Sequence, residues 1–141
     1  MSKIEVNTVA PQCGTTLTLG ASGDTVTLGS GASQSGFGRT GTVDWQTTKK
    51  TADFTAVNGE GYFVDTNGGA VTVTLPASPS TGDEVSFIDQ GYDFNSNALT
   101  VGRNGSNIAN SGTDLVVNTQ GAGFTLVYSG DATTGWTYKE K

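Results

Sequence analysis

From Thr42 onward the chain repeats short stretches in which apolar and polar residues alternate: Phe54, Tyr62-Phe63-Val64, Val71-Thr72-Val73-Thr74-Leu75, Val85-Ser86-Phe87-Ile88, Leu99-Thr100-Val101, Leu115-Val116-Val117, Phe124-Thr125-Leu126-Val127-Tyr128 and Trp136-Thr137-Tyr138. A period of two puts successive side chains on opposite faces of a strand, so these stretches predict about eight short strands. Turn-forming residues separate them: Asn58-Gly59, Asn67-Gly68-Gly69, Pro76 through Gly82, Asn104-Gly105, Ser111-Gly112 and Ser129-Gly130-Asp131. Of these, Asn67-Gly68 matches the two-residue turn that joins antiparallel hairpin strands. Strands spaced at roughly 8 to 12 residues with no helical periodicity predict an all-β fold. The expected architecture over residues 46–141 is an antiparallel β-sandwich of jelly-roll-like kind.

Residues 1–45 read differently, with Gly, Ser and Thr dominant. Thr16-Leu17-Thr18-Leu19-Gly20-Ala21-Ser22-Gly23-Asp24 is followed by its near-repeat Thr25-Val26-Thr27-Leu28-Gly29-Ser30-Gly31-Ala32-Ser33. Each copy predicts a short strand and a Gly-rich turn, with Leu17, Leu19, Val26 and Leu28 facing one way and the threonines the other. Such a segment cannot build its own core. Ordering each backbone residue costs about 1–2 kcal/mol, and a buried leucine returns about 2–3 kcal/mol. Two repeats also fall short of the roughly three a solenoid needs. The missing apolar contact is expected from other chains or from a host surface. Ile4 and Val6 alternate in the same manner and predict a further strand that ends before Pro11.

Composition sharpens this picture. Only 34% of the 141 residues are hydrophobic and 21 are glycine, which is strand-and-turn usage. A chain of this size still buries roughly 70% of its unfolded surface, enough for a real core. The net charge is −6, and the basic residues Lys3, Arg39, Lys49, Lys50, Arg103, Lys139 and Lys141 are scattered or end-loaded, so no phosphate-tracking surface for nucleic acid is expected. Lys49-Lys50 reads as a solvated pair. No apolar run approaches the ~20 residues of a membrane span, and Met1-Ser2-Lys3-Ile4-Glu5-Val6 lacks a signal peptide's apolar segment, so the expected place of synthesis and assembly is the cytoplasm. The single cysteine, Cys13, suits a reducing compartment and a structural, buried role.

The chain has no histidine. That removes the usual proton shuttle, the usual zinc ligand and any Ser-His-Asp or Cys-His arrangement, and the chain is expected not to be an enzyme and to use no cofactor or metal. Asp83, Glu84, Asp89 and Asp93 are close enough in sequence to raise a glycosidase-type carboxylate pair, but acidic residues at strand ends read more simply as turn formers. Gly36-Phe37-Gly38-Arg39-Thr40-Gly41 has dinucleotide-binding spacing without the strand, helix and distal acid that give such a loop its function, so it reads as a link. Asp93-Phe94-Asn95-Ser96-Asn97 starts like a calcium loop, yet Ala98 and Asn104 occupy positions that need glycine and glutamate. Aromatic residues within predicted strands are core candidates. Trp45, Tyr92 and Phe94 lie in loop-like stretches and are candidates either for a protein interface or for sugar platforms.

The opening run Met1 through Ser33, with Gly69-Ala70-Val71-Thr72-Val73-Thr74-Leu75-Pro76-Ala77, Asn97 through Ser106, Thr125-Leu126-Val127-Tyr128 and Gly135-Trp136, resembles marine phage virion proteins of tail-fibre and capsid-decoration type over nearly the whole chain. The resemblance implies a homotrimer on the virion surface. Residues 1–45 would attach to the particle, with Ile4, Val6 and Val9 as contacts to the major capsid protein or another virion protein. Leu17, Leu19, Val26 and Leu28 would form an intertwined trimeric stem, and the sandwich would project outward. Within this class two roles stay open: a capsid decoration or head-fibre protein, and a tail-fibre or carbohydrate-binding protein that meets host surface glycans.

Overall fold

A computed structural model describes residues 9–10, 14–15, 17–19, 21, 23–25, 27, 30 and 43–140. Spatial contacts divide the chain into a unit over Met1–Gly38 and a compact unit over Arg39–Lys141. In the first, Val9, Leu17 and Leu19 are exposed, and Leu17–Leu19 form no strand within the chain. The turn expected after the first repeat is present: Asp24 N–H donates to Ala21 O (3.0 Å) and Ala21 N–H to the Asp24 carboxylate (2.7 Å), with Gly23 in the left-handed region. Ile4, Val6, Cys13, Val26, Leu28 and the Gly36–Gly41 loop lie outside the described residues.

The second unit is all-β, and among the described residues there is no helix. Its strands are β1 (Asp44–Trp45), β2 (Phe54–Thr55), β3 (Glu60–Val64), β4 (Val71–Thr74), β5 (Glu84–Asp89), β6 (Leu99–Gly102), β7 (Leu115–Val117), β8 (Gly123–Tyr128) and β9 (Trp136–Glu140). They form a five-stranded sheet of order β1-β3-β5-β8-β9 and a four-stranded sheet of order β2-β4-β6-β7. Every stretch of alternating residues from Phe54 to Tyr138 therefore falls on a strand.

The expected antiparallel pairing does not hold. β1 with β3, β3 with β5, β2 with β4 and β4 with β6 are parallel. Only β5 with β8, β6 with β7 and β8 with β9 are antiparallel. From β2 to β6 the chain crosses from one sheet to the other at each connection, so strands that return to a sheet run in the same direction as their predecessor. Asn67-Gly68 is accordingly no hairpin turn: it lies in a crossing between β3 and β4, which belong to different sheets. Neither residue takes the positive φ that a tight primed turn demands; Gly69 does, and Asn67 N–H is instead held by the Asp65 carboxylate at 3.1 Å. Asn104-Gly105 does adopt that conformation, with φ of 48° and 90° and Ser106 N–H on Arg103 O at 3.1 Å.

The core lies between the sheets. Tyr62, Phe87 and Phe124 are direct cross-strand partners on the inner face of the five-stranded sheet, with ring centroids 6.0 and 5.3 Å apart. Phe54 and Tyr138 extend the row at each end. Val71, Val73, Leu75, Leu99 and Val101 face them from the other sheet, all buried. A row of large aromatic rings inside leaves the alternate positions of the same strands to face outward, and those are where a binding surface can form.

Candidate binding face on the five-stranded sheet

Register assembles the outer row. Trp45 of β1 pairs with Gly61 of β3, Gly61 with Ser86 of β5, Ser86 with Thr125 of β8, and Thr125 with Glu140 of β9. One residue from each strand of the sheet thus lines up across it. Phe63, Ile88 and Gly123 form the adjacent row in the same register. Trp45, Ser86, Ile88, Gly123, Thr125 and Glu140 line a shallow trough of about 230 Å³.

Each member is placed by a specific local cause. Gly61 has no side chain, and a Cβ there would come within 2.6 Å of the Trp45 ring, so glycine lets the indole settle onto the sheet. Phe63 braces the indole at a centroid distance of 5.1 Å. Trp45 nevertheless keeps 38% of its surface open. Ser86 is almost fully buried and its hydroxyl meets that of Thr125 at 2.8 Å, which fixes the Thr125 rotor. Between β8 and β9 the register slips: Leu126 opposes Tyr138, while Thr125 opposes Glu140. Lys139 is the extra residue of this β-bulge, and the bulge aims the Glu140 carboxylate at the Thr125 row. The Lys139 ammonium turns to Glu84 at 3.2 Å.

The residues singled out by sequence separate here. Trp45 is part of a strand, not a loop, and belongs to the trough. Tyr92 is exposed on the loop after β5, with a backbone φ of 53°, its ring over Gly121 and its carbonyl held by Gln120 at 2.9 Å. Phe94 is fully buried in the core and so offers no surface to a sugar or a partner. Its burial follows from Asp89, a carboxylate 1% exposed that accepts the backbone N–H groups of Asp93 (3.3 Å), Phe94 (3.3 Å) and Gly121 (2.9 Å) and so folds the loop inward. The other acidic residues of that stretch are also engaged. Asp83 takes Asn58 and Ser80 N–H, Glu84 takes Lys139, and Asp93 takes the Asn97 amide. Among the described residues no three His, Cys, Asp or Glu side chains gather as metal ligands would.

Lys49-Lys50 is not simply solvated. Lys49 meets Asp65 at 2.6 Å, and this contact, with the Asn67 N–H, holds the Asp65 carboxyl below its usual range. The Lys50 ammonium lies 5.3 and 5.6 Å from the Phe54 and Tyr62 ring centres, within cation–π reach.

A second concavity, about 340 Å³ and mainly apolar, opens beside the edge strand β7 and is lined by Leu115, Val117, Ala122, Phe124 and Tyr138 among others. Val116 is exposed on that strand. Ser86, Thr125, Glu140 and Gly61 were not singled out by sequence. Ser86 and Thr125 are ordinary residues in predicted strands, Gly61 and Glu140 lie just beyond the predicted ones, and only the pairing register reveals their alignment. No known family model matches the chain, and no curated protein matches its sequence.

Proposed function

We propose that this chain is a non-catalytic phage virion structural protein: a homotrimeric capsid decoration or head-fibre protein that docks through its N-terminal segment and projects the two-sheet unit. The observation that carries this reading is the contrast between the two units. Arg39–Lys141 closes its own core, whereas Val9, Leu17 and Leu19 remain exposed in the other unit. Apolar side chains in regular alternation, left uncovered by their own chain, favour contact with another chain. Three strands or arms wound together would bury Leu17 and Leu19 against their equivalents, and Val9 would remain for the particle. The resemblance of the opening 33 residues to virion proteins points the same way.

The test is deletion of residues 1–33. The truncated protein is expected to keep its strand content and cooperative unfolding while losing saturable binding to undecorated particles. Retained particle binding by the truncation would overturn the assignment. A second, adhesive role is favoured by one observation, the partly open Trp45 face beside hydroxyl and carboxylate groups.

A further inference from the structure

We infer that Asn67 is a site of spontaneous modification, where the side-chain amide cyclises onto the Gly68 nitrogen and opens to aspartate and isoaspartate, while the fold protects the other two Asn-Gly pairs of the chain. The inference rests on no part of the virion or adhesive readings.

In an Asn-Gly pair the backbone nitrogen of the glycine can attack the side-chain carbonyl carbon of the asparagine. A new C–N bond forms, the bond from that carbon to the amide nitrogen breaks, and the amide departs as ammonia with the proton that the glycine N–H gives up. Water then adds to either carbonyl of the cyclic imide. Opening on one side gives aspartate; opening on the other gives isoaspartate, with the backbone routed through the side chain. Water is the sole co-reactant, and no oxidant or reductant takes part. Glycine favours the attack because it has no Cβ to crowd the nitrogen. In a folded chain the step also requires an asparagine side chain free to swing onto its own peptide and a glycine N–H not committed elsewhere.

The chain holds three such pairs: Asn58-Gly59, Asn67-Gly68 and Asn104-Gly105. At Asn58 both ends of the amide are fixed, since its NH2 donates to the Asp83 carboxylate at 2.6 Å and its carbonyl accepts the Glu84 N–H at 3.0 Å. The attacking group is also taken, with Gly59 N–H on Glu84 O at 2.8 Å. At Asn104 the NH2 donates to Leu75 O at 2.8 Å, which directs the side chain to the end of β4 and away from its own peptide. Its backbone is held at φ 48° in the tight turn that Ser106 N–H closes on Arg103 O.

Asn67 lacks these restraints. It and Gly68 are exposed at the centre of the turn that Gly69 N–H closes on Thr66 O at 3.0 Å. The Asn67 amide reaches Gly91 O only at 3.4 Å, the outer limit of a hydrogen bond. It also lies beside the Asp65 carboxylate, whose short bond goes to Lys49 at 2.6 Å. Gly68 N–H has no hydrogen-bond partner among the described residues. The product would set a second carboxylate beside Asp65, so that two anions share the Lys49 ammonium at the crossing from β3 to β4.

The test is peptide mapping by mass spectrometry of the full chain, aged at mildly alkaline pH both native and in unfolding urea, with isoaspartate and aspartate peptides separated by chromatography. In the native chain Asn67 is expected to convert at least about tenfold faster than Asn58 or Asn104, the rate factor that one retained hydrogen bond supplies. In urea the three should convert at similar rates, because the same dipeptide is then unprotected at each. Gly68→Ala is expected to fold, since its Cβ would meet open space at a φ outside the left-handed region, and to slow conversion of Asn67 in both conditions. Native conversion at Asn58 or Asn104 as fast as at Asn67 would overturn the inference. So would an Asn67 that stays intact in the native chain over the time in which urea converts all three, or a folded Gly68→Ala that converts as fast as the parent chain.

Discussion

At the scale of single residues, Tyr62 links the core to a pH response. Its ring lies in the inner aromatic row, its hydroxyl donates to Glu60 and accepts from Val57 N–H, and burial, reinforced by the Glu60 hydrogen bond, raises its pKa far above the usual phenol value. Burial raises Tyr138 as well. A group whose pKa is higher in the folded state stabilises that state below its unfolded value and loses the contribution as pH rises through the folded one. Stability should thus be flat through neutral pH and decline above about pH 10, the unfolded tyrosine value. Tyr62→Phe should shallow that decline, with the Tyr138 part remaining; chemical unfolding measured at several alkaline pH values checks it. Phe94 marks the limit of sequence at this scale. Its neighbours Asp93, Asn95 and Asn97 are polar, so the stretch reads as an exposed loop, and the buried Asp89 that draws it inward acts across five residues and through Gly121, 32 residues away.

At the scale of elements, the strands were legible and their partners were not. Alternation reports that one face of a strand is buried, and that is equally true in a mixed two-layer coil and in an antiparallel sandwich. Asn67-Gly68 pointed to a hairpin because the dipeptide favours one, but the crossing from β3 to β4 is several residues longer than a tight turn and ends in the opposite sheet. The trough was hidden for the same reason: Trp45, Gly61, Ser86, Thr125 and Glu140 come into line through two parallel pairings and two antiparallel ones, the last of them bulged. One connection is held very closely. Gly135 has φ of 66°, and a Cβ there would lie 1.9 Å from Asn107 O, which also accepts Trp136 N–H at 2.8 Å. Gly135→Ala must displace backbone at the start of β9 and is expected to cost at least about 2 kcal/mol. Gly123→Ala, whose Cβ would find its nearest neighbour at 3.8 Å, should change stability little. Urea unfolding of the two variants compares them directly.

At the scale of the whole molecule, the two units pose different physical problems. The unit from Arg39 onward builds a buried core of its own while leaving Trp45, Val57, Tyr92 and Val116 exposed, and the short edge strands β1 and β2, two residues each, expose little pairing surface. The N-terminal unit shows Val9, Leu17 and Leu19 to solvent, and its described residues contribute nothing to the buried core. The proposed association of copies through that unit is the central claim. Light scattering of the purified full-length chain tests it most directly. A particle of three times 14.4 kDa that persists on dilution is expected; a monomer at 14.4 kDa would contradict the trimer.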